Sequence, residues 1–202
     1  MENLLNAFHD FTKHLDIRFT NSVYTTEDSV RYTFFQSLAS KMNLGTEEII
    51  LEFPHPVIKR AEIDMLIPPK ERRNELVFEF KFDREMPSGH NSPRPMKAGK
   101  LFADLVRLSK YKGKFEESKC FFVYVTDYEM ADYMNKDSNR LNDFFNLPQN
   151  KILKINDAYI NNHSDTFVSQ ALTYGKCDID VSLSHFANLN KTFYVRIYEI
   201  DS

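Results

Sequence analysis

Apolar residues return along this chain with two different periods, and the switch between them marks out the elements. Leu4, Leu5, Phe8, Phe11 and Leu15 recur at three- and four-residue steps, which predicts a helix over about residues 2–15. Val30, Phe34, Leu38 and Met42 repeat that spacing in a second helix. Thr25 or Thr26 is placed to cap it, Glu27 and Asp28 fall in its first turn, and Gly45 is the expected stop. Residues 48–53 then read as a short strand interrupted by Pro54 and Pro56. Over about 58–67, Ile63, Met65 and Ile67 alternate with Glu62, Asp64 and Leu66. After a polar turn at 68–74, Leu76, Phe78, Phe80 and Phe82 alternate with Val77, Glu79, Lys81 and Asp83. This two-residue period predicts an antiparallel pair joined by the turn.

Residues 84–97 hold three prolines and one glycine without a period, and read as a loop. A helix follows over about 98–111, with Leu101, Leu105 and Leu108 on one side, then a strand at 119–126 that is apolar on both faces. A helix is expected after Asp127, shorter elements around 151–160 and 165–174, and a closing strand over 192–200. The order helix, three strands, helix, strand predicts an α/β fold with a central mixed sheet flanked by helices. The 202 residues suit one domain, with a core at about 20–130 and a C-terminal elaboration at about 131–202.

Composition narrows the functional classes. The chain carries 18 Phe and 10 Tyr but no Trp, an excess assigned mainly to the core rather than to stacking on bases. The longest apolar run, residues 120–125, is far too short to span a bilayer, so no membrane role is expected. The first residues lack the basic-then-apolar layout of a secretion signal, and Cys120 and Cys177 make no disulfide framework. The expected setting is therefore the reducing cytoplasm. A net charge of −3 argues against coating nucleic acid indiscriminately, but leaves room for basic residues clustered locally. The six histidines show no zinc-binding spacing, and no phosphate-binding glycine loop is present, so neither zinc nor a nucleotide cofactor is expected.

The chemistry concentrates in the predicted strand pair. Glu79 and Lys81 are two apart and so leave the same face, roughly 7 Å apart along the strand. Asp64 lies mid-strand on the neighbouring segment, where its carboxylate can approach that of Glu79. Two carboxylates converging in a partly dry site repel each other unless a cation intervenes. Mg²⁺, with Mn²⁺ as a substitute, suits hard oxygen ligands and keeps several waters, and the Phe80 carbonyl offers a third protein oxygen. Lys81 is then placed to orient or help deprotonate a water, or to stabilise developing phosphoryl charge. The plain alternative is a solvated sheet face with a cross-strand ion pair. Glu117-Ser-Lys119, with Asp104 thirteen positions upstream, spells a similar pattern, but Glu117 lies in a polar stretch and Asp104 in a helical one.

Ile-Asp64-Met-Leu-Ile, fourteen residues, then Glu79-Phe-Lys81 resembles the signature of the PD-(D/E)XK nuclease superfamily, the restriction-endonuclease-like fold, over about residues 20–130. One departure is that Ile63, not proline, directly precedes the acid. The resemblance implies an αβββαβ core with a C-terminal extension and a Mg²⁺-dependent endonuclease hydrolysing DNA phosphodiester bonds, of restriction or defence type. By matching position, Asp64 and Glu79 bind the metal, Lys81 supports the attacking water, and Glu27 is the glutamate many members carry on the preceding helix. Glu27 also reads simply as an acid in a first helical turn, and Glu62 as a surface acid. Arg84, His90, Arg94 and Lys97 follow the catalytic strand and, with Lys100 on the next helix, are candidate DNA contacts; the alternative is a surface connection. Asp104 and Arg107 read as an intrahelical pair. With no separate recognition module, cutting double-stranded DNA implies a homodimer, one site per strand. An alternative from another class is a catalytically silent DNA-binding or assembly module.

Overall fold

The structure, a computed structural model, describes residues 2–71, 73–85, 89 and 91–201. Its elements run α1 (Glu2–Thr20), α2 (Glu27–Met42), β1 (Ile50–Pro54), β2 (Glu62–Ile67), β3 (Leu76–Asp83), α3 (Arg94–Lys112) and β4 (Lys119–Asp127). The C-terminal part continues with α4 (Tyr128–Asn135), α5 (Asn142–Phe145), β5 (Ile152–Asn156), α6 (Asp157–Asn161), α7 (Asp165–Ala171), β6 (Asp178–Leu189) and β7 (Phe193–Asp201). All seven strands form one mixed sheet in the order β1-β2-β3-β4-β7-β6-β5. The β3–β4 pair is parallel, crossed over by α3, and the other neighbouring pairs are antiparallel. The C-terminal strands therefore extend the same sheet as β1–β4.

Helices cover both faces because each strand of the sheet centre is apolar on both sides. Phe78, Phe80, Phe121 and Val123 pack under α1 and α2 with Phe8, Phe11, Leu15 and Phe34. Val77, Cys120, Phe122 and Tyr124 pack on the opposite face with Leu101, Phe102, Leu105 and Phe144. Burying each such phenyl ring contributes about 1.5–3 kcal/mol, so the aromatic excess is spent largely in these two layers. Tyr24, Tyr32 and Tyr128 are exceptions, each more than half exposed. Among the described residues no helix is long and apolar enough to cross a membrane.

Several boundaries differ from expectation for local reasons. α1 runs to Thr20 rather than ending near 15, because Phe19 adds another buried turn. α2 is capped by Thr26: its hydroxyl accepts from the Ser29 amide, and the Ser29 hydroxyl accepts from the Thr26 amide, both at 3.2 Å. The helix stops at Asn43, which takes the left-handed conformation at φ 53°, so Gly45 is not the stop. Residues 46–48 form a 3₁₀ turn, and β1 begins only at Ile50. Likewise β2 starts at Glu62 rather than near 58.

The expected loop at 84–97 is shorter than that: α3 begins at Arg94, with Pro95 in its first turn, where a missing N–H does no harm. Arg94 and Lys97 are thus helical residues, not loop residues. β6 was not anticipated as a strand. Ile179, Val181 and Leu183 alternate with polar residues as a strand requires, but a bulge between Leu183 and His185 breaks the alternation and turns the polar His185 to the opposite face, where it is buried against His9 of α1 at 4.6 Å between ring centres.

Candidate active site

The site begins where the β2–β3 ladder opens. Pairing runs from Ile67↔Leu76 to Met65↔Phe78 and no further, although β3 continues to Asp83. Backbone amides on the β3 edge beyond Phe78 need other acceptors, and carboxylates supply them. Asp64 Oδ2 accepts from the Phe80 amide at 2.8 Å, and Glu27 Oε2 accepts from the Phe82 amide at 2.9 Å. Two residues far apart in sequence, Asp64 named by its strand pattern and Glu27 by the resemblance, therefore meet along one strand edge. Because a strand residue presents its N–H and C=O to the same side, the Phe80 carbonyl faces the opening that Asp64 enters.

Glu79, Lys81 and Asp83 leave β3 on the α3 side, where Val77 joins the core. Glu79 is completely buried. Its carboxylate is gripped by the Arg107 guanidinium, Nε donating to Oε1 at 3.1 Å and Nη2 donating to Oε2. Burial pushes the Glu79 carboxyl well above the ordinary range and the Asp64 charge pushes the same way, while Arg107 pulls it back. Asp104 lies one helical turn before Arg107, 3.3 Å from its Nη2, and 4.0 Å from Lys81 Nζ. Burial lifts Asp104 to about 6, opposed by Arg107 and Lys81 and assisted by Asp64 and Glu27.

Lys81 sits 3.7 Å from Glu27 and is mostly buried. Burial alone lowers an ammonium, but Glu27, Asp104, Asp83 and Asp64 together hold its pKa above the ordinary lysine value. It is a fixed cation at neutral pH. Arg31 on α2 closes the other side, paired with Asp28 and lying 3.6 Å from Glu52 and 3.7 Å from Asp64. Glu52 holds a left-handed backbone at φ 54° within β1, between the residues paired to Met65 and Ile63. Such a conformation in a side-chain-bearing residue is strained and is found disproportionately beside functional sites.

The pieces that sequence pattern brought forward fall into two groups. Asp64, Glu79, Phe80, Lys81 and Glu27 gather at one opening. The basic set does not gather in the same way. Arg84 stacks its guanidinium on the Tyr24 ring at 4.3 Å. Arg94 bridges Glu85 and Glu129 at 2.8 and 2.6 Å, and Lys97 donates to the Arg84 carbonyl at 3.0 Å. Lys100 is exposed, Glu62 is an exposed acid as expected, and His90 lies outside the described residues. Arg107 and Asp104 are the residues whose role pattern understated. Their spacing gives the intrahelical pair, but not that the pair also reaches Glu79 and Lys81 across the fold.

Acids outnumber the cations that reach them. Glu27, Glu79 and Asp104 share Lys81 and Arg107 from within, while Arg31 is divided among Asp28, Glu52 and Asp64. Like charges held this close raise one another's pKa values, as the lifted Glu79 and Asp104 carboxyls show. Among the described residues no three acid, histidine or cysteine side chains converge into a ready-made cage. Asp64, Glu79 and the Phe80 carbonyl are oxygen donors of the kind a hydrated Mg²⁺ takes, with Arg107 on both Glu79 oxygens and the Phe80 amide on Asp64 Oδ2. Comparison of the chain with family models, with curated proteins and with solved structures finds no match.

Proposed function

We propose that this protein is a Mg²⁺-dependent endonuclease that hydrolyses DNA phosphodiester bonds at the opening between β2 and β3. The observation that carries the proposal is the placement of Asp64 and Glu79 on adjacent strands where pairing stops, with Lys81 beside them on the face of Glu79. When bound, Mg²⁺ supplies a hard Lewis acid that polarises the phosphoryl group and acidifies a water. Asp64, Glu79 and the Phe80 carbonyl are the residues that would hold it. Lys81, kept charged by Glu27 and Asp104, acts as a donor and fixed positive charge on the attacking water or a phosphoryl oxygen. Glu27 fixes both the Phe82 amide and the Lys81 ammonium, which makes it a positioning residue.

Double-stranded DNA is the proposed substrate and a homodimer the proposed working unit, one site for each strand. A restriction or defence setting follows by analogy with the nuclease superfamily that the Asp64…Glu79-Phe-Lys81 spacing resembles. A second reading is favoured by one observation: the Arg107 fork already neutralises Glu79. A catalytically silent module that binds DNA or assembles with a partner needs no more than that. Supercoiled plasmid incubated with Mg²⁺ or Mn²⁺ separates the two. The nuclease reading expects nicked or linear product that disappears with EDTA and with Asp64→Ala. Intact plasmid under every metal condition, or cutting that survives either change, contradicts it.

A further inference from the structure

Arg107 is placed unusually for a residue that merely holds two elements together. It rises from α3 one turn beyond Asp104 and sends its forked donors onto a carboxylate with no exposure to solvent. Glu79 is also one of the two acids assigned to the metal. The Arg107 fork takes one lone pair on each Glu79 oxygen, so a divalent ion that approaches Glu79 from the side facing Arg107 has to displace it. Asp104 offers an alternative anchor, already 3.3 Å from Nη2, and the Arg107 charge can stay in the site while its donors leave Glu79.

We infer that Arg107 is a resident cation that occupies the Glu79 carboxylate in the metal-free protein and yields it to Mg²⁺ by moving onto Asp104. This rests on the assignment of Asp64 and Glu79 as the metal pair. Arg107 is a positioning residue: its fork holds the buried Glu79 carboxylate in one orientation until the metal arrives, and it sets how tightly the metal binds. The forked donor geometry makes the arrangement specific to arginine, since a lysine offers one compact charge rather than two parallel donors.

Two measurements on the full chain test the inference without relying on activity. In the first, Mn²⁺ is titrated calorimetrically into the wild type, Arg107→Met and Arg107→Lys, with melting temperatures recorded in EDTA and in Mn²⁺. Arg107→Met is expected to melt lower in EDTA yet bind Mn²⁺ at least tenfold more tightly, with Arg107→Lys between it and the wild type. Equal or weaker Mn²⁺ binding in the variants, with the wild type binding normally, overturns the inference and leaves the metal pair standing. No Mn²⁺ binding by any of the three proteins overturns both. In the second, which needs no folded variant beyond Arg107→Lys for assignment, the Arg107 Nε–H resonance of the wild type is followed as Mg²⁺ is added. It is expected to shift as the bond to Glu79 is lost; a resonance unmoved at saturating Mg²⁺ overturns the inference.

Discussion

Replacing Asp83 by asparagine is expected to stabilise this protein at neutral pH, although the residue is buried and charged. Asp83 is 4% exposed and its Oδ2 has no hydrogen-bond partner. Burial lifts its carboxyl from an ordinary 3.8 to about 6, with Lys81 and Lys97 pulling down and Glu27 and Asp127 pushing up. The sign follows from proton uptake. Between pH 4 and 6 the folded chain keeps a proton that the unfolded chain has released, so stability falls as pH rises through that window and stays reduced above it. A gap of about two pH units at about 1.4 kcal/mol per unit gives roughly 3 kcal/mol lost at pH 7.5. Asparagine matches the shape and carries no charge, so Asp83→Asn should recover most of that, on the order of 5–10 °C in melting temperature for a chain of this size. Urea unfolding of both proteins at pH 7.5 and pH 4 makes the comparison. The difference should shrink to near zero at pH 4, where the native carboxyl is protonated. A variant equally or less stable at pH 7.5, or a gap independent of pH, refutes the reasoning.

Lys81→Ala should fold, since no carboxylate near Lys81 loses its only partner, while plasmid nicking drops by about a hundredfold or more; undiminished nicking with normal folding removes Lys81 from the mechanism. Gly99→Ala should destabilise by about 1–3 kcal/mol by overpacking, because a Cβ there stands 2.5 Å from the Phe167 carbonyl oxygen and 2.7 Å from the Gln170 Cβ of α7. Urea melts of that variant without loss of stability show instead that α3 and α7 can move apart. Thr26→Ala should cost about 1 kcal/mol through loss of the cap on the helix that carries Glu27 and Arg31, measurable in the same way.

Much of this site is legible along the chain because it breaks local rules. Acid inside an alternating apolar strand is conspicuous, and Asp64, Glu79 and Lys81 stand out for that reason. Glu27 is half legible: its place in a first helical turn is obvious, but its bond to the Phe82 amide depends on a ladder that stops early. What pattern conceals is contact across the fold. The i,i+3 spacing gives the Asp104–Arg107 pair, whereas the grip on Glu79 exists only once α3 crosses over the sheet between β3 and β4. Asp104 even looked like part of a chance repeat of the acid motif, yet it lies beside Lys81. α3 starts earlier than the pattern predicts because prolines signal a loop, though one at a first helical turn begins a helix as readily. β6 shows the opposite weakness: its alternation is present, but a bulge after Leu183 shifts the period and puts a histidine where the apolar series would make a strand recognisable.

The central claim is that Asp64 and Glu79 hold one divalent cation between them. Its most direct test is the melting temperature as Mg²⁺ or Mn²⁺ is added, in the wild type and in Asp64→Ala, because an ion that binds only the folded chain stabilises it in proportion to the logarithm of its excess. The expected result is a saturable rise in the wild type that Asp64→Ala abolishes; a wild-type curve unmoved by millimolar metal, or a rise that Asp64→Ala leaves intact, contradicts the claim.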